Sequence, residues 1–507
     1  MAPVVVLSGA KDLHLRCTPL YNTSKQHVQV LRLWLRTRCR PERSEGPALA
    51  LHTPRQQAKL YVQALRLWLR TTPLLALCAS CSLGIATGGS DSFPSIRLPG
   101  GPPRYELRNG YWFNGTTFEQ ITKYSVYGAL SDRRPVPIDS VIDLQGGYVV
   151  PAFGEAHNHN AVPSDTGVSS RYLRAGIYYV KNPNNLPADR VAAKGKFNTS
   201  TSIDVVFSNG GLTGPGGHPI DLVRRNVARG VWKASAGEGA FYHTIASRAD
   251  LDAKWPAILA AEPDFIKTYL LFSDEYAKRL ADSSTIGWRG LDPALLPLIV
   301  KRAHDATLRV STHVETAADF RNALAAGVDE INHLPGFRPE RNELATYASK
   351  DRYRLSAADA RLAKQLGVVV VTTVSEVIEA LDHPLANGLT DTIIARRARD
   401  VVVANLQLLK DAGVNVVIGS DRFNATSVSE VFGVRTTHVF SDVELLRMWS
   451  MGTPRAIVPG RKIGKLDAGF DANFLVLAGN PLTDFENVKR IRMRFKEGVL
   501  LQGTRPE

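Results

Sequence analysis

The sequence predicts an α/β fold, a (β/α)8 TIM barrel with a small flanking β-domain, and two observations carry this prediction. Eight short apolar runs alternate with longer stretches of helical periodicity, and residues able to bind metal stand where several of these runs end. Alternating strands and helices imply parallel β/α units, and eight units over about 300 residues suit a closed barrel. The predicted strands cover residues 148–152, 176–181, 202–208, 264–271, 308–313, 328–333, 368–374 and 414–420.

The segments on either side of the predicted barrel have the sequence pattern of β-strands. Residues 104–145 alternate apolar and polar side chains and contain Asn-Gly pairs at 109–110 and 114–115, which are hairpin signals. The C-terminal segment begins as a helix near residue 448 and ends in the strand-like runs FLVL and RIRMRFK. We therefore expect a small β-sandwich domain built from residues 101–147 and 460–507, and a (β/α)8 barrel over 148–459.

Length and charge limit the classes of protein to which the chain can belong. A chain of 507 residues is too long for one compact core, so a large and a small domain are expected. The net charge is +14, but the first 100 residues hold 13 Lys and Arg against 4 Asp and Glu, leaving +5 on the remaining 407. The basic excess belongs mainly to this leader, so no nucleic-acid partner is expected.

Residues 1–72 form a basic leader with an internal repeat. The segment VQVLRLWLRT at 28–37 returns as VQALRLWLRT at 62–71. Two interpretations are open: a tandem of basic amphipathic segments, or a read-through of repeated DNA upstream of the true translation start. We favour the second and exclude the leader from the fold.

Residues 73–100 resemble an export signal followed by a linker. Two arginines precede an apolar run at 73–86, which ends in small residues and a Gly/Ser-rich stretch and is short for a membrane span. Cys81 is a candidate lipid acceptor, although Cys78 stands where such signals usually carry leucine. We expect an exported protein, located in the periplasm or outside the cell. A lipid attached to Cys81 would in addition anchor it to a membrane. The body has no cysteine, which excludes a disulfide framework and a cysteine nucleophile there.

One β/α unit is predicted at residue level. Thr316 and Asp319 form a T-x-x-D capping box, apolar residues recur after it at helical spacing, and Gly327 fits a C-terminal stop. A helix over 316–326 should therefore join two strands that both end in histidine.

His157 and His159 follow the first predicted strand, within GGYVVPAFGEAHNHN at 146–160. In an extended segment, side chains two residues apart point the same way, so both imidazoles can converge just beyond the strand. Neutral imidazole nitrogens in this arrangement suit a divalent metal. The alternative is a pair of surface histidines in a polar turn.

Other candidate ligands stand at the ends of other strands. His313 and His333 are the last residues of predicted strands, and Asp421 follows the eighth. Active sites of (β/α)8 barrels form at the C-terminal ends of the strands. These three side chains should therefore meet the histidine pair on one face of the barrel.

Lys267 lies within an apolar strand, DFIKTYLL at 264–271. Burying a lysine without a partner costs free energy, but the amine can pair with a carboxylate or become an anionic carbamate that binds metal. The alternative is a lysine that reaches solvent at the strand end.

These motifs resemble those of the amidohydrolase superfamily, within an imidazolonepropionase-like group that also contains metal-dependent dipeptidases. PAFGEAHNHN is similar to the strand-one motif, usually PG-F-I-D-x-H-x-H, although Gly154 and Glu155 depart from it. The matching positions are Pro151, Phe153, His157 and His159. DFIKTY is similar to the strand-four segment that carries a carboxylated lysine, and GSDRF to the strand-eight segment that carries an aspartate.

The tail GKLDAGFDANFLVLAGNPL is similar to the family's closing motif, usually G-x-I-x-x-G-x-x-A-D-L-V-V-L, with Asn473 where aspartate is common. The resemblance covers residues 101–500 and leaves the leader unexplained.

The resemblance implies two divalent metal ions, with zinc as the default, in a ligand set that also accepts iron, manganese or cobalt. The implied ligands of one ion are His157, His159 and Asp421. Those of the other are His313 and His333, with carboxylated Lys267 and a hydroxide bridging both.

The chemistry implied by the resemblance is hydrolysis of a C–N bond in a cyclic amide, a carboxamide or a small dipeptide. The hydroxide attacks the scissile carbonyl, and Asp421 acts as general base and then as general acid. His218, in a Gly-rich loop where related enzymes carry a GGH segment, is a candidate substrate contact; the alternative is a loop histidine without a role. Tyr269 and Arg422 flank proposed ligands and can meet a substrate carboxylate, Arg422 by a bidentate pair.

Two other classes of function stay open at this point. An esterase, lactonase or phosphoester hydrolase can use the same binuclear site, because the metal pair attacks any polarised electrophile. A non-catalytic exported binding protein with a decayed site is disfavoured, because none of the six ligand residues is missing. In each case the expected partner is a small molecule, and oligomerisation is left open.

Overall fold

The computed structural model describes residues 101–337, 351–385, 391–423 and 425–501. The predictions for the leader at 1–72 and for the export segment at 73–100, with Cys81, lie outside these residues. Within the described ranges, every helix is too short or too polar to cross a lipid bilayer.

Seventeen strands occur in the described part of the chain, and they belong to one mixed sheet and two parallel sheets. The strands are β1 (Tyr105–Phe113), β2 (Phe118–Val126), β3 (Ala129–Ser131), β4 (Ser140–Pro151), β5 (Phe153–Glu155), β6 (Ile177–Asn182), β7 (Asp204–Phe207), β8 (Gly211–Thr213), β9 (Tyr242–Thr244), β10 (Ile266–Tyr269), β11 (Val310–His313), β12 (Glu330–Asn332), β13 (Val369–Val371), β14 (Asn415–Val417), β15 (Phe474–Leu477), β16 (Ile491–Lys496) and β17 (Val499–Leu500).

Strands from both flanks form the mixed sheet, in the order β17-β16-β15-β4-β1-β2-β3. β1 and β4 are parallel, and the other neighbours are antiparallel. The predicted union of FLVL and RIRMRFK with the early strands is therefore confirmed. These strands form one sheet, so the two-sheet sandwich and the domain boundaries stay predictions.

The predicted first barrel strand at 148–152 was wrong. Residues up to Pro151 complete β4 in the mixed sheet, where Tyr148 pairs with Leu477 of β15. The first parallel strand is β5, which begins at Phe153 and pairs with β6. An apolar run shows that a strand is buried, but not which of two adjoining sheets it joins, and this is the cause of the error.

Of the two predicted hairpin turns, one is confirmed. Asn114 and Gly115 connect β1 to β2, whereas Asn109 and Gly110 lie inside β1 at a shift of register with both neighbouring strands. Asn109 has a φ of 58°, and a β-carbon on Gly110 would lie 2.5 Å from Leu144 Cδ1. The Asn109–Gly110 pair therefore forms a β-bulge, which needs the same permissive residues as a turn.

The parallel strands form two sheets, ordered β14-β13-β12-β11-β10-β8-β9 and β5-β6-β7. The predicted strands from 176–181 to 414–420 coincide with β6, β7 and β10–β14, so the α/β class is confirmed. Backbone hydrogen bonds link the two sheets at both margins. The Ala156 N–H donates to Ile418 O at 2.9 Å, and the Asp264 N–H donates to Phe207 O at 2.8 Å. The short strands β8 and β9 were not predicted.

Thirteen α-helices lie in the described ranges, most of them between parallel strands. They are α1 (Val168–Arg174), α2 (Pro187–Ala192), α3 (Ile220–Ala228), α4 (Arg248–Ala260), α5 (Tyr276–Ala281), α6 (Leu296–Asp305), α7 (Ala317–Ala326), α8 (Ala357–Leu366), α9 (Ser375–Asp382), α10 (Thr392–Asp411), α11 (Ser427–Arg435), α12 (Asp442–Arg447) and α13 (Thr453–Ile457). Helix α7 confirms the residue-level prediction: the Thr316 side chain accepts from the Asp319 N–H, and Gly327 ends the helix with a φ of 78°.

Trp449 holds β5 in place below the histidine pair. Its ring stacks on Phe153 with centroids 3.7 Å apart, and its indole N–H donates to Gly154 O at 3.0 Å. Aromatic burial of this kind contributes free energy beyond the area buried. The strand that leads to His157 is therefore fixed by packing and by a hydrogen bond.

Candidate active site

The six predicted ligand residues all line one cavity of about 1160 Å³. They stand at the C-terminal ends of parallel strands, which meet at the same edge of a sheet. Along the strands they are His157 and His159 after β5, Lys267 within β10, His313 at the end of β11, His333 after β12 and Asp421 after β14. The structure therefore brings together residues that are up to 264 positions apart in the sequence.

Asp421 is the centre on which three of the histidines converge. Its Oδ1 lies 3.3 Å from His159 Nε2 and 3.6 Å from His157 Nε2, and its Oδ2 lies 4.0 Å from His333 Nδ1. One ligand atom each of His157, His333 and Asp421 lies within 4.8 Å of the others. Imidazole and carboxylate atoms at such spacing can share one divalent cation.

His313 and His333 lie side by side, with ring centroids 4.3 Å apart. His313 Nε2 is 3.1 Å from Oε1 of Glu315, a buried carboxylate that the sequence analysis missed. Its signal was present, because Glu315 follows His313 by two residues, the same spacing that placed the first histidine pair on one side.

Two further contacts orient histidine rings. His159 Nδ1 is 3.2 Å from the carbonyl oxygen of Asn184, which leaves Nε2 facing Asp421. His333 Nδ1 is 2.7 Å from Thr373 Oγ1 and is also the nitrogen 4.0 Å from Asp421 Oδ2. A hydrogen bond at one ring nitrogen orients the ring and raises the basicity of the other nitrogen, as in metal sites generally.

Lys267 is buried, and its Nζ donates to Asn332 Oδ1. Burial lowers the pKa of Lys267 to about 7, although the negative charges of Asp421 and Glu330 act to raise it. A considerable fraction of the amine is therefore neutral near pH 7. Only the neutral amine has the lone pair needed to form a carbamate with carbon dioxide.

The residues present fit a divalent cation. Burial, and next the charge of Lys267, hold the pKa of His157 well below its usual range, so its imidazole is neutral and able to donate a lone pair. Its Nε2 lies 3.6 Å from Asp421 Oδ1, on the side where a shared cation would be bound.

The backbone is strained where the site is built. His333, Thr373 and Asp421 have φ values of 73°, 51° and 47°, in the left-handed region that non-glycine residues rarely adopt. Such conformations cost about 1–3 kcal/mol each and persist where the surrounding structure holds them for function. Sequence patterns did not reveal this feature.

Glu155 ties the first and last parallel strands together beneath the cavity. Its Oε1 accepts from the Ser420 N–H at 2.8 Å, and its Oε2 accepts from the Ser420 hydroxyl at 2.9 Å. The sequence analysis noted Glu155 only as a departure from the usual motif. Because Ser420 precedes Asp421, this pair helps to place Asp421 opposite the histidines.

The three predicted substrate contacts also line the cavity. The His218 ring lies 5.3 Å from the Tyr269 ring and 5.4 Å from that of His313. Arg422 Nη1 donates to Glu379 Oε2 at 2.9 Å. Burial, and then the charge of Asp421, raise the pKa of Tyr269, so its hydroxyl keeps its proton near neutral pH.

Apolar side chains form part of the cavity lining, beside charged ones such as Asp189, Arg225 and Glu376. Trp232 and Phe241 pack with ring centroids 4.8 Å apart, and Phe423 is exposed at the mouth with its ring 6.5 Å from that of His159. Other apolar residues of the lining are Val162, Leu186, Leu222, Val231, Phe337, Val377 and Leu381. A lining that is both polar and apolar suits a small molecule that carries both kinds of group.

A buried polar network supports the site from within the parallel strands. Lys181 Nζ lies 2.7 Å from Glu330 Oε1, and this ion pair is almost fully buried. Glu330 Oε1 also accepts from Ser311 and Asn332, and Asn332 in turn accepts from Lys267. The amine of Lys267 is thus positioned through Asn332 by a charged pair that the sequence did not reveal.

Residues 287–501 match the model of the amidohydrolase family. None of the curated proteins matches the chain. Among solved structures, A. niger ochratoxinase is 16% identical, with a TM-score of 0.60 over 80% of this chain and 96% of that one. A prolidase complexed with N-methylphosphonate-L-proline is 18% identical, with a TM-score of 0.59 over 79% and 100%. A Xaa-Pro dipeptidase with bound methionine is 15% identical, also with a TM-score of 0.59 over 79% and 100%.

At these identities the structural likeness establishes the fold, and the family model establishes the relationship over the second half of the chain. Together with the ligand residues at the strand ends, they support a hydrolytic activity. Over residues 287–501 the chain is therefore similar to the amidohydrolase family.

Proposed function

We propose that this protein is a metal-dependent amidohydrolase that hydrolyses a C–N bond in a small cyclic amide, carboxamide or dipeptide. The observation that carries the proposal is the approach of His157, His159 and His333 to Asp421 in one cavity. The dipeptidase and prolidase among the similar folds support a dipeptide or related amide as the substrate.

Two divalent ions, with zinc as the default, are proposed as the cofactors. His157, His159 and Asp421 would hold one ion, and His313 and His333 would hold the other, with carboxylated Lys267 between them. Bound in this way, the ions make hydroxide available near neutral pH and polarise the scissile carbonyl. The low pKa of His157 and the approach of its Nε2 to Asp421 support this assignment.

Asp421 is the proposed proton carrier. Its side chain is 27% exposed at the cavity wall, so a water molecule can reach its carboxylate. As a general base it takes the proton of the attacking water, and as a general acid it passes that proton to the leaving nitrogen. The amine then leaves neutral, and the carboxylate is regenerated.

His218, Tyr269 and Arg422 are proposed to bind and orient the substrate. Tyr269 can donate its phenolic proton to a substrate oxygen, and His218 stands next to it. Arg422 already pairs with Glu379, which holds the guanidinium at the cavity edge for a substrate carboxylate. Positioning of this kind can supply a large part of the rate enhancement.

The two parallel sheets are proposed to be parts of one closed (β/α)8 barrel. The hydrogen bonds of Ala156 to Ile418 and of Asp264 to Phe207 support closure at both margins. Closure would fix the relative positions of the ligands from β5 and from β10–β14.

Substrate screening tests the function. Metal-loaded protein would be offered dipeptides, N-acyl amino acids, lactams, lactones, carboxylic esters and phosphoesters. We expect turnover of at least one amide; turnover confined to esters, lactones or phosphoesters would instead establish the alternative hydrolase. A metal content below one ion per chain after metal-supplemented expression would favour a non-catalytic binding protein.

Export is a separate proposal that rests on residues 73–86. Fractionation of cells that express the full chain should place the protein outside the cytoplasm, and Cys81→Ser should release any membrane-bound fraction. Protein found wholly in the cytoplasm would contradict export.

A further inference from the structure

The segment after β5 alternates histidine and asparagine, in the order His157, Asn158, His159, Asn160. Both histidines line the cavity, whereas the two asparagines are not among the described residues of its lining. The asparagine side chains contact instead the segment that follows β14, which carries Asp421. One short stretch of chain therefore presents proposed metal ligands on one side and holds the backbone around another proposed ligand on the other.

The carboxamides of the two asparagines donate to the same two carbonyl groups. Asn158 Nδ2 lies 3.1 Å from Arg422 O and 3.2 Å from Ala425 O. Asn160 Nδ2 lies 3.0 Å from each of these oxygens. A carboxamide nitrogen carries two hydrogens, so each asparagine can serve both carbonyls. Four donor–acceptor contacts thus hold the chain on the C-terminal side of Asp421.

The residue before Asp421 is held as well. Asn158 Nδ2 also lies 2.8 Å from Ser420 Oγ, the hydroxyl that donates to Glu155. Three acceptors surround two hydrogens, so at least one hydrogen is shared. The carboxamide oxygen of Asn158 accepts from the Asn160 N–H at 2.7 Å, which fixes the orientation of the group. Asn158 is fully buried, so these hydrogen bonds are shielded from water.

Asp421 itself has a backbone conformation that needs support. Its φ of 47° lies in the left-handed region that is unfavourable for a residue other than glycine, and such a conformation persists only where the surrounding structure holds it. Its own N–H donates to His157 O at 2.8 Å, and the asparagines hold the residues on both sides of it. These contacts direct the Asp421 carboxylate toward His159 Nε2, which is 3.3 Å away.

We propose that Asn158 and Asn160 are positioning residues that hold Asp421 opposite the histidines, so that its carboxylate is in place for proton transfer. This rests on the proposed function, in which Asp421 carries the proton. Neither asparagine touches the substrate in this role, because both act through the backbone beside Asp421. A small displacement of a reacting group costs a large factor in rate, so a contact outside the cavity can control kcat.

The kinetic test is a double-mutant cycle on metal-loaded protein, with the amide that the native protein hydrolyses fastest. Asn160→Leu keeps a similar volume but cannot donate a hydrogen bond, and it should lower kcat about 10–100-fold. In the Asp421→Asn background the same substitution should change kcat less than about threefold, because the group that it positions no longer carries the proton. A loss of kcat by the same factor in both backgrounds would overturn the proposal.

Hydrogen–deuterium exchange on the intact protein without substrate tests the backbone contact directly. Asn160→Leu should speed exchange of the Asp421 amide, measured in a peptide over residues 416–423, by about tenfold. Unchanged exchange in this peptide would overturn the proposal. Asn160→Ser keeps one donor, so it should give a smaller increase, and it takes the place of the leucine variant if that protein does not fold.

Asn473 offers a matched control, because it is a buried asparagine in the mixed sheet with hydrogen bonds of its own. Its Nδ2 donates to the Tyr179 hydroxyl at 2.6 Å, and its Oδ1 accepts from the Glu497 N–H. Asn473→Leu should lower the Tm but leave kcat, and exchange over residues 416–423, at their native values. A loss of kcat as large as that of Asn160→Leu would show that general destabilisation is the cause, and would overturn the proposal.

The outcome is separable from that of the broader function. Faster exchange in Asn160→Leu, without hydrolysis of any amide by the native protein, would support the backbone contact and refute the amidohydrolase proposal. Hydrolysis of amides by the native protein, with native exchange and native kcat in Asn160→Leu, would refute only the role of the asparagines.

Discussion

The buried carboxyl group of Glu155 accepts hydrogen bonds from the backbone N–H and the hydroxyl of Ser420, which lies 265 positions away in the chain. This contact joins the first and last parallel strands at the point where His157 and Asp421 leave them. These hydrogen bonds connect the two strands beneath the site. Because the carboxyl group of Glu155 can ionise, their strength depends on pH.

The first prediction concerns this dependence. Burial raises the pKa of Glu155 from 4.5 to about 8, so the folded protein keeps a proton that the unfolded chain loses near pH 4.5. The contribution of this carboxyl to stability is therefore complete below pH 4.5 and decreases as the pH rises to about 8. Between pH 5 and 8 the native protein should lose roughly 2–5 kcal/mol that Glu155→Gln does not lose.

Urea unfolding of both proteins at pH 5, 7 and 9 measures this difference. Glutamine can still accept from the Ser420 N–H and donate to its hydroxyl, so the variant should fold. Parallel pH profiles for the two proteins would show that Glu155 is ionised in the fold.

The second prediction concerns the buried ion pair of Lys181 and Glu330. Removing one charge leaves the other buried without compensation, which costs about 3–5 kcal/mol. Glu330→Gln and Lys181→Met should each destabilise metal-free protein by roughly that amount. The double variant Lys181→Met with Glu330→Leu should recover much of the loss in chemical denaturation. Additive losses in the double variant would show that the pair is not coupled.

The third prediction concerns the proton carrier. Asp421→Asn should reduce kcat about 10²–10⁴-fold, because asparagine cannot take up the proton of the attacking water. The Tm should change little, since the Asp421 side chain is partly exposed at the cavity wall. Steady-state kinetics and metal analysis on the same sample check this, and full turnover by metal-replete variant would refute the proton role.

The fourth prediction concerns the metal. A chelator should abolish hydrolysis, and a divalent cation should restore it. His313→Ala should lower the metal content and abolish hydrolysis while the protein stays folded, because the variant removes a ligand for one proposed ion. The matched control is His304→Ala, since His304 pairs with Asp329 outside the cavity. Equal loss of metal in both variants would argue against the proposed ligand set.

Several features could be predicted from the sequence because their causes are local. The helix after Thr316 follows from a capping box and a terminal glycine, and both are visible in a dozen residues. The proposed ligand residues could be placed in one cavity because parallel strands bring their C-terminal ends to one edge, whatever the intervening sequence. The error at 148–152 has a different cause, since an apolar run does not show which of two adjoining sheets its strand joins.

The sequence by itself determined the α/β class, the positions of most parallel strands and the identity of the residues at their ends, because periodicity and capping are properties of short segments. Only the tertiary structure decided which groups meet across the cavity. The contacts of Glu155 with Ser420, Lys181 with Glu330 and His313 with Glu315 depend on burial and on distances between strands. Pairing and burial are fixed by the packing of the whole chain, so no local pattern records them.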